Sequence, residues 1–441
     1  MITDLDSTKH RRVSDRGRAG PGAVVDGSRE HVWPPAGLAH RRAERAGGTA
    51  MTTIAPAPHT AIPTPPAADR GLLTGVFAAV GVGMAVWGAR MPAVKDAAHL
   101  STGQLSVVLL GAAAGIVAGL QIGGRLANRH GPSHLLITPT VLFGLALALL
   151  GQCHTLLTLV LAAAVFGLAH GLLDVGANAS AVNCETSYRR PIMAGLHCGF
   201  SLGALGGATL AAATTGIPHG LLFAIVGAAT VVAALAAIPR VRAATSLNAS
   251  PPTAGIEDKT APVPFPRSAV WLLGALAAAC LLGEGAAADW SALHLRSLHA
   301  SEATAAAAYG LYSASMAVGR LFGDRLTRHY GAPAVVCTGA VVAAIGFGAG
   351  VTSGTAPGAL LGWMALGMGL SSVVPSLMSA AGRGGPLAVG TVAAVGYFGL
   401  LTGPAAIGAL ASLTSLPAAL ALPAALAAAV ALLSHRALES R

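Results

Sequence analysis

The chain has 441 residues, of which 54% are hydrophobic and only 10% charged. A water-soluble domain clothes its core with about 25% charged residues, so a soluble globular enzyme is excluded. The formal charge of +10 would suit a nucleic-acid binder, but the basic residues are strung between apolar stretches rather than gathered in one patch, and no nucleic-acid partner is expected.

Residues 1–70 hold ten of the 27 basic residues, are rich in Pro and Gly and lack apolar periodicity. They read as a disordered cytoplasmic tail. No apolar run of signal-peptide length precedes Gly71, and Met51 opens a shorter Pro-rich leader that is an alternative start. Lys9, Lys95 and Lys259 all lack the glycine-rich lead of a phosphate loop, which excludes an ATP motor on this chain. The five cysteines are scattered without paired spacing, so they read as small packing residues, and no disulfide, metal or cofactor is expected.

Beyond Gly71 come long stretches without Asp, Glu, Lys or Arg, at 130–173, 191–239, 329–382 and 384–435. Crossing the hydrocarbon takes about 20 apolar residues. Each stretch is at least twice that and carries breakers near its middle, so each predicts a helical hairpin. Together with two spans on either side of Arg90 to Ser101 and two between Ser268 and Leu326, they predict an all-α membrane protein with twelve transmembrane helices. The spans are 71–91, 103–126, 132–152, 155–182, 192–215, 219–238, 268–294, 303–322, 332–352, 357–380, 387–411 and 416–434.

With the tail inside, fourteen basic residues from Arg125 to Arg441, Arg320 among them, fall in cytoplasmic loops or the C-terminus. Only Arg90, Lys95 and Arg296 fall on the other side. Basic residues resist translocation, so both termini are expected in the cytoplasm. The polar connection 239–267 divides the spans into an N-terminal half, 71–238, and a C-terminal half, 268–435, followed by a cytoplasmic end at 436–441. An internal echo supports the division. Gly124-Arg125-Leu126 leads to Arg129-His130-Gly131, and Gly319-Arg320-Leu321 leads to Arg328-His329-Tyr330-Gly331. Two parallel six-helix halves around a midplane cavity suit a transporter that rocks one half against the other.

Acids inside such spans are costly, about 2.5 to 3.5 kcal/mol at the helix centre, so Asp174 and Glu284 mark the first candidate site. A carboxyl group in a low-dielectric cavity is pushed towards its neutral form, which suits proton exchange as the cavity opens to either side. His170, Asp174 and Asn178 recur at steps of four and share one helix face; His170 is a candidate proton relay. His197 and Ser201, also four apart, are candidates to meet that face from the next helix. Asp289, Trp290, Trp87 and Tyr312 are further candidates for solute contact, with Arg90 either snorkelling to headgroups or pairing with an acid. Hydroxyls and a helix break are also available from Tyr309, Ser313, Ser371, Ser372, Pro375 and Tyr397.

The loop Gly124-Arg125-Leu126-Ala127-Asn128-Arg129-His130-Gly131 resembles the signature between the second and third helices of the major facilitator superfamily. Asn128 stands where that family has Asp, and Pro132-Ser133 replace its basic tail. The resemblance implies a cytoplasmic gate at Gly124, Arg125, Asn128, Arg129 and Gly131 and, in the second half, at Asp324, Arg325 and Arg328. With the amide at 128, the latch rests more on Asp324.

Three further stretches narrow the resemblance to the MosC-like and fucose permease-like branch. They are Gly171 to Asn178, Arg190-Pro191-Ile192-Met193 with His197, and Glu284 to Ser291. Asp174, followed closely by Ala177-Asn178, matches an acid that takes part in proton coupling in fucose permease. The resemblance covers about residues 71–435. It implies a proton-coupled secondary transporter of a small polar, sugar-like or inositol-like solute, monomeric and multi-pass in a bacterial cytoplasmic membrane, with lipid, solute and protons as its partners and no enzymatic activity. A proton-antiport exporter of drugs or metabolites, or a membrane receptor or structural protein that does not transport, are the alternatives left open.

Overall fold

The computed structural model describes residues 66–244, 246–248 and 265–439. The expected tail up to residue 65, including the alternative start at Met51, lies outside the described residues, as does most of the linker. All regular structure among the described residues is helical. The first set is α1 (Pro66–Ala89), the short α2 (Met91–Ala97), α3 (Thr102–His130), α4 (His134–Leu150), α5 (Leu156–Tyr188), α6 (Met193–Ala213) and α7 (His219–Ala243). The second set is α8 (Arg267–Ser297), α9 (Glu302–Tyr330), α10 (Ala332–Thr352), α11 (Ala356–Leu370), α12 (Val373–Ala381), α13 (Gly385–Leu413), α14 (Leu416–Ala419) and α15 (Ala421–Glu439). Among the described residues, nine helical segments are long and apolar enough to cross a membrane; one of them, Ala356–Leu413, is a 58-residue run that contains α11, α12 and α13.

Each span read from the sequence falls on one of these helices or on a consecutive pair. The differences have local causes. Helix α1 is already formed at Pro66, the first described residue, rather than starting near residue 71, and Asp69 within it is buried and accepts a hydrogen bond from the Ser246 hydroxyl. The span 357–380 is interrupted at Ser371-Ser372. Pro375 has no amide hydrogen to give the Ser371 carbonyl, so the helix cannot run through that turn unchanged. The last helix likewise continues to Glu439, past the end set at residue 434.

The helices pair in the same way in both sets. Helix α1 packs on α6, α3 on α5 and α4 on α7; correspondingly α8 packs on α13, α9 on α11 and α10 on α15. The sets meet where α3 packs on α13 and α6 on α9. In lipid such contacts rest on close van der Waals fit rather than on expulsion of water. A Cβ added to Gly203 would lie 2.2 Å from the Ala78 carbonyl oxygen, and one added to Gly399 would lie 2.2 Å from that of Ala278.

From α1 to α5 and from α8 to α12 these equivalences follow a repeat with one offset, which slips by four residues at α6 and α13, where Gly203 on Ala78 answers to Gly399 on Ala278. Helices α3 and α9 both have 29 residues and begin two hundred positions apart. Ser101 and Ser301 cap them at 3.2 Å from the amides of Gln104 and Thr304, and they end at Gly131 (φ 86°) and Gly331 (φ 81°). His99 and His299 are both left-handed, at φ 51° and 60°, and Thr155 and Thr355 both cap the helix that follows. The register therefore corrects the sequence alignment. Arg125 corresponds to Arg325, Gly124 to Asp324, and Arg320 to Leu120, a residue in the apolar core. Arg320 is not a loop residue. It lies inside α9 and is buried, which leaves thirteen rather than fourteen basic residues in the expected cytoplasmic set.

Three described linker residues dock onto the arginine-rich end of the first set. Besides Ser246, Leu247 is fully buried and its carbonyl accepts from Asn183 Nδ2 at 2.8 Å, while Asn248 bonds Ser133 through Oγ at 2.6 Å and the amide at 3.2 Å.

Candidate functional site

The polar stripe of α5 points into the space between the two sets. A cavity of about 190 Å³ is lined by residues of α1, α5, α6, α8, α9, α12 and α13. His170, Asp174, Asn178, His197, Glu284 and Arg320 supply its polar lining, against Phe77, Met84, Phe200, Val374, Met378 and Tyr397 among the less polar residues.

Within it, hydrogen bonds form a track that crosses from one set of helices to the other. Asn178 Nδ2 donates to the Asp174 carbonyl at 2.9 Å and to its carboxylate at 3.1 Å. His197 Nε2 lies 3.3 Å from Asn178 Oδ1 and donates to it in the Nε2–H tautomer. One turn further along α6, Ser201 Oγ donates to the His197 carbonyl at 3.2 Å and accepts from Arg320 Nη1 at 2.7 Å. The other guanidinium nitrogen, Arg320 Nη2, meets Glu284 Oε1 at 3.3 Å. No hydrogen bond joins Asp174 to His197 directly; Asn178 bonds both.

The remaining sequence candidates are distributed differently. His170 lines the cavity edge-on to Tyr397, with ring centroids 5.9 Å apart, and its Nδ1 is buried without a hydrogen-bond partner. Ser201 joins the track without being part of the cavity wall. Trp87 packs on Phe166 at 5.1 Å in a separate apolar cluster and does not reach the cavity. Arg90 is buried and donates to the carbonyl and, at 3.1 Å, the hydroxyl of Thr214, so it caps the end of α6 rather than pairing with an acid. Asp289 is exposed, and Trp290 is half-buried beside Gly408. Tyr312 is buried and stacked on Tyr309 behind the cavity wall.

At the arginine-rich end, two carboxylates hold the start of α6, and one of them, Asp324, reaches it from the other set. A helix leaves its first amides without intrahelical partners. For α6 those amides are taken by acids: Glu185 Oε2 accepts from Ile192 and Met193 at 2.8 and 3.1 Å, and Asp324 accepts from Ala194 and Gly195 at 2.9 and 3.0 Å. Negative charge there is favoured by the helix dipole, and Arg70 adds an ion pair with Asp324 at 3.9 Å. Gly124, the counterpart of Asp324, instead lies against Pro386 and Leu387 at the start of α13, and Asn128 sits near Gly385. Arg125, Arg129, Arg325 and Arg328 are exposed, and Gly131 supplies the positive-φ turn after α3. A larger cavity of about 600 Å³, lined by Asn128, Asn183, Glu185, Asn248 and Arg383 among others, opens at this end. It does not include the track.

Two of these residues were not singled out from the sequence. Arg320 was counted with the neighbouring basic loop; the signal that separates it is its position more than two turns before the end of α9, with Val318, Leu321 and Phe322 around it. Glu185 could have been found as an acid seven residues before the first amide of α6.

Comparison with known proteins agrees with the fold. Residues 72–387 match the family model described as Major Facilitator Superfamily. An uncharacterized MFS-type transporter of Yersinia pestis is 33% identical over 349 residues, 78% of this chain and 89% of that protein. The membrane protein MosC of Rhizobium meliloti is 28% identical over 346 residues, covering 76% and 82% of the two chains. Among solved structures, the E. coli fucose:proton symporter FucP superposes with a TM-score of 0.63 at 16% identity, over 83% of this chain and 98% of that one. On the extent of the family match and the helix pairing, the chain belongs to the Major Facilitator Superfamily, in its MosC- and FucP-like branch.

Proposed function

We propose that this chain is a proton-coupled secondary transporter of a small polar, sugar-like or inositol-like solute in a bacterial cytoplasmic membrane. In this reading it crosses the membrane twelve times, with both termini in the cytoplasm, and works by alternating access. The observation that carries the reading is the track from Asp174 through Asn178, His197 and Ser201 to Arg320 and Glu284. It holds two membrane-buried acids in one cavity that both sets of helices build, and intramembrane acids are functional by default. The fucose:proton symporter among the structural neighbours is in keeping with solute and proton moving together. Rocking about the α3–α13 and α6–α9 contacts would expose the cavity to either side in turn.

The arginine-rich end is then the cytoplasmic one, closed here by Asp324 of α9 on the α6 amides. The test is uptake of labelled sugars and inositols into proteoliposomes under an imposed inward proton gradient, with dye efflux run alongside. Solute accumulation that collapses with a protonophore supports the proposal. Dye extrusion without solute uptake would replace it with the exporter reading, and unchanged flux in Asp174→Asn and Glu284→Gln would remove the coupling role of both acids.

A further inference from the structure

The central cavity contains one guanidinium, and its bonding is incomplete. Arg320 carries five N–H donors in a planar fork. Its side chain is only 7% exposed, and its two described polar contacts are Ser201 through Nη1 and Glu284 through Nη2. Nε is buried with no hydrogen-bond partner. The ion pair is single-pronged and 3.3 Å long, against about 2.7–2.9 Å for a well-made charge-assisted bond. Glu284 keeps 23% of its side chain exposed. Geometrically, Arg320 is under-used and Glu284 is its displaceable partner.

We infer that the transported solute carries a carboxylate that pairs with Arg320 in place of Glu284, so that the solute class is small sugar acids rather than neutral sugars. The inference rests on the transport reading above and names the substrate class of the same cavity. Its volume of about 190 Å³ equals roughly six waters at about 30 Å³ each, which suits a monosaccharide-sized body. Its walls, with Phe77, Phe200, Met84 and Tyr397, are mostly apolar, and Asn178, His170 and His197 are the few neutral partners they offer a ring of hydroxyl groups. One buried fork with spare donors fits one carboxylate.

Charge balance then dictates the coupling. Arg320 and Glu284 together are neutral. A second carboxylate entering that pair leaves an uncompensated negative charge in a low-dielectric site, which is strongly unfavourable. Protonation of Glu284 removes the excess, so one proton accompanies each carboxylate inward, taken up at a Glu284 oxygen and released when the site opens to the cytoplasm. The titratable groups around Glu284 and its partner are Cys280 on the same helix, Tyr309 and Tyr312 on α9, Tyr397 on α13, His197 and Cys198 on α6, and His170 and Asp174 of α5 in the same cavity.

The test uses the purified full-length protein in detergent and matched probe pairs, glucose with glucuronate and galactose with galacturonate. Thermal shifts are read between about pH 5.5 and about pH 8, where the probe's own carboxyl stays ionised. The uronates are expected to raise the unfolding temperature at the lower pH where the matched hexoses do not, with affinity falling at least tenfold at the higher pH. Glu284→Gln should keep uronate binding at both pH values. The charge-balanced double variant Arg320→Gln with Glu284→Gln, which avoids stranding a buried charge, should lose it. Hexose and uronate binding equally, or the double variant still binding uronate, overturns the inference. Proton-driven uptake of neutral hexose into proteoliposomes with no uronate binding overturns it while leaving the transport reading standing; no uptake of any solute overturns both.

Discussion

The carboxylate of Asp324 lies 3.0 Å from the amide of Gly195, and a Cβ on Gly195 would sit only 2.6 Å from the same oxygen. The contact joins α9 to the first turn of α6, across the boundary between the two sets of helices. It is a charged cap placed in trans, and glycine at 195 leaves the carboxylate room to reach the amide.

Removing that cap should bias the protein towards opening at the arginine-rich end. Hydrogen bonds to a charged group are worth about 1.5–3 kcal/mol each, and Asp324→Ala deletes two while leaving the amides of Ala194 and Gly195 unpartnered. Cys198, buried one turn along α6 with its thiol 3.7 Å from the Ala317 carbonyl, is a natural reporter. In a background lacking the other four cysteines, maleimide labelling of Cys198 is expected to accelerate several-fold in Asp324→Ala and in Gly195→Val. Equal labelling rates would mean the cap does not hold this interface shut.

Coupling and binding should separate at Asp174. Asp174→Asn keeps the side-chain shape and a hydrogen-bonding partner for Asn178 but cannot carry an exchangeable proton at neutral pH. Solute exchange down or without a gradient is expected to persist within a few-fold, while accumulation against a gradient falls to the level of the external concentration. Counterflow and gradient-driven uptake in the same vesicles measure the two.

The Glu284–Arg320 pair makes a distinct statement about stability. Breaking a buried ion pair from one side costs about 3–5 kcal/mol. The lower end is expected for Arg320→Gln, since Glu284 is partly exposed to the cavity. Pairing it with Glu284→Gln should restore most of the lost thermal stability in detergent without restoring transport. A double variant no more stable than the single one would show that the two side chains are not energetically coupled.

The docked linker residues are open to a protease assay. Leu247→Ala removes a fully buried side chain, a change that costs about 2–5 kcal/mol in a packed core, and Asn183→Ala removes the bond to its carbonyl. Either variant should release the segment and speed tryptic cleavage at Arg240 or Arg242. Unchanged cleavage would mean the docking is not what protects those sites.

Charge-free runs located the helices because a membrane span must hide its polar backbone in a helix and cannot afford ionised side chains. The α5 stripe was legible for the same reason: His170, Asp174 and Asn178 share a face by spacing alone. What one-dimensional reading could not supply was the partner across each gap. Asn178 between Asp174 and His197, and Ser201 between His197 and Arg320, are joined by packing of α5, α6 and α9, not by periodicity. The repeat register failed because Gly-Arg-Leu was matched by identity, whereas the spacing of Ser101, Gly131 and Thr155 to Ser301, Gly331 and Thr355 was the conserved quantity within the chain. That slip put Arg320 in a loop and removed the one cavity guanidinium from view. An aromatic near a helix end gives no sign in the sequence of whether it turns towards the cavity or, as Trp87 does, towards Phe166.

The two-hundred-residue offset has a consequence for how such a pocket can acquire charge at all. Glu284 is the counterpart of Met84, Asp174 of Val374, Asn178 of Met378 and Arg320 of Leu120. At every pair, only one copy is polar. A molecule assembled from two identical copies would present each ionisable group twice about its axis, forcing like charges to confront one another. Divergence of the copies is thus a physical precondition for a lopsided, selectively charged pocket in a nearly symmetric frame.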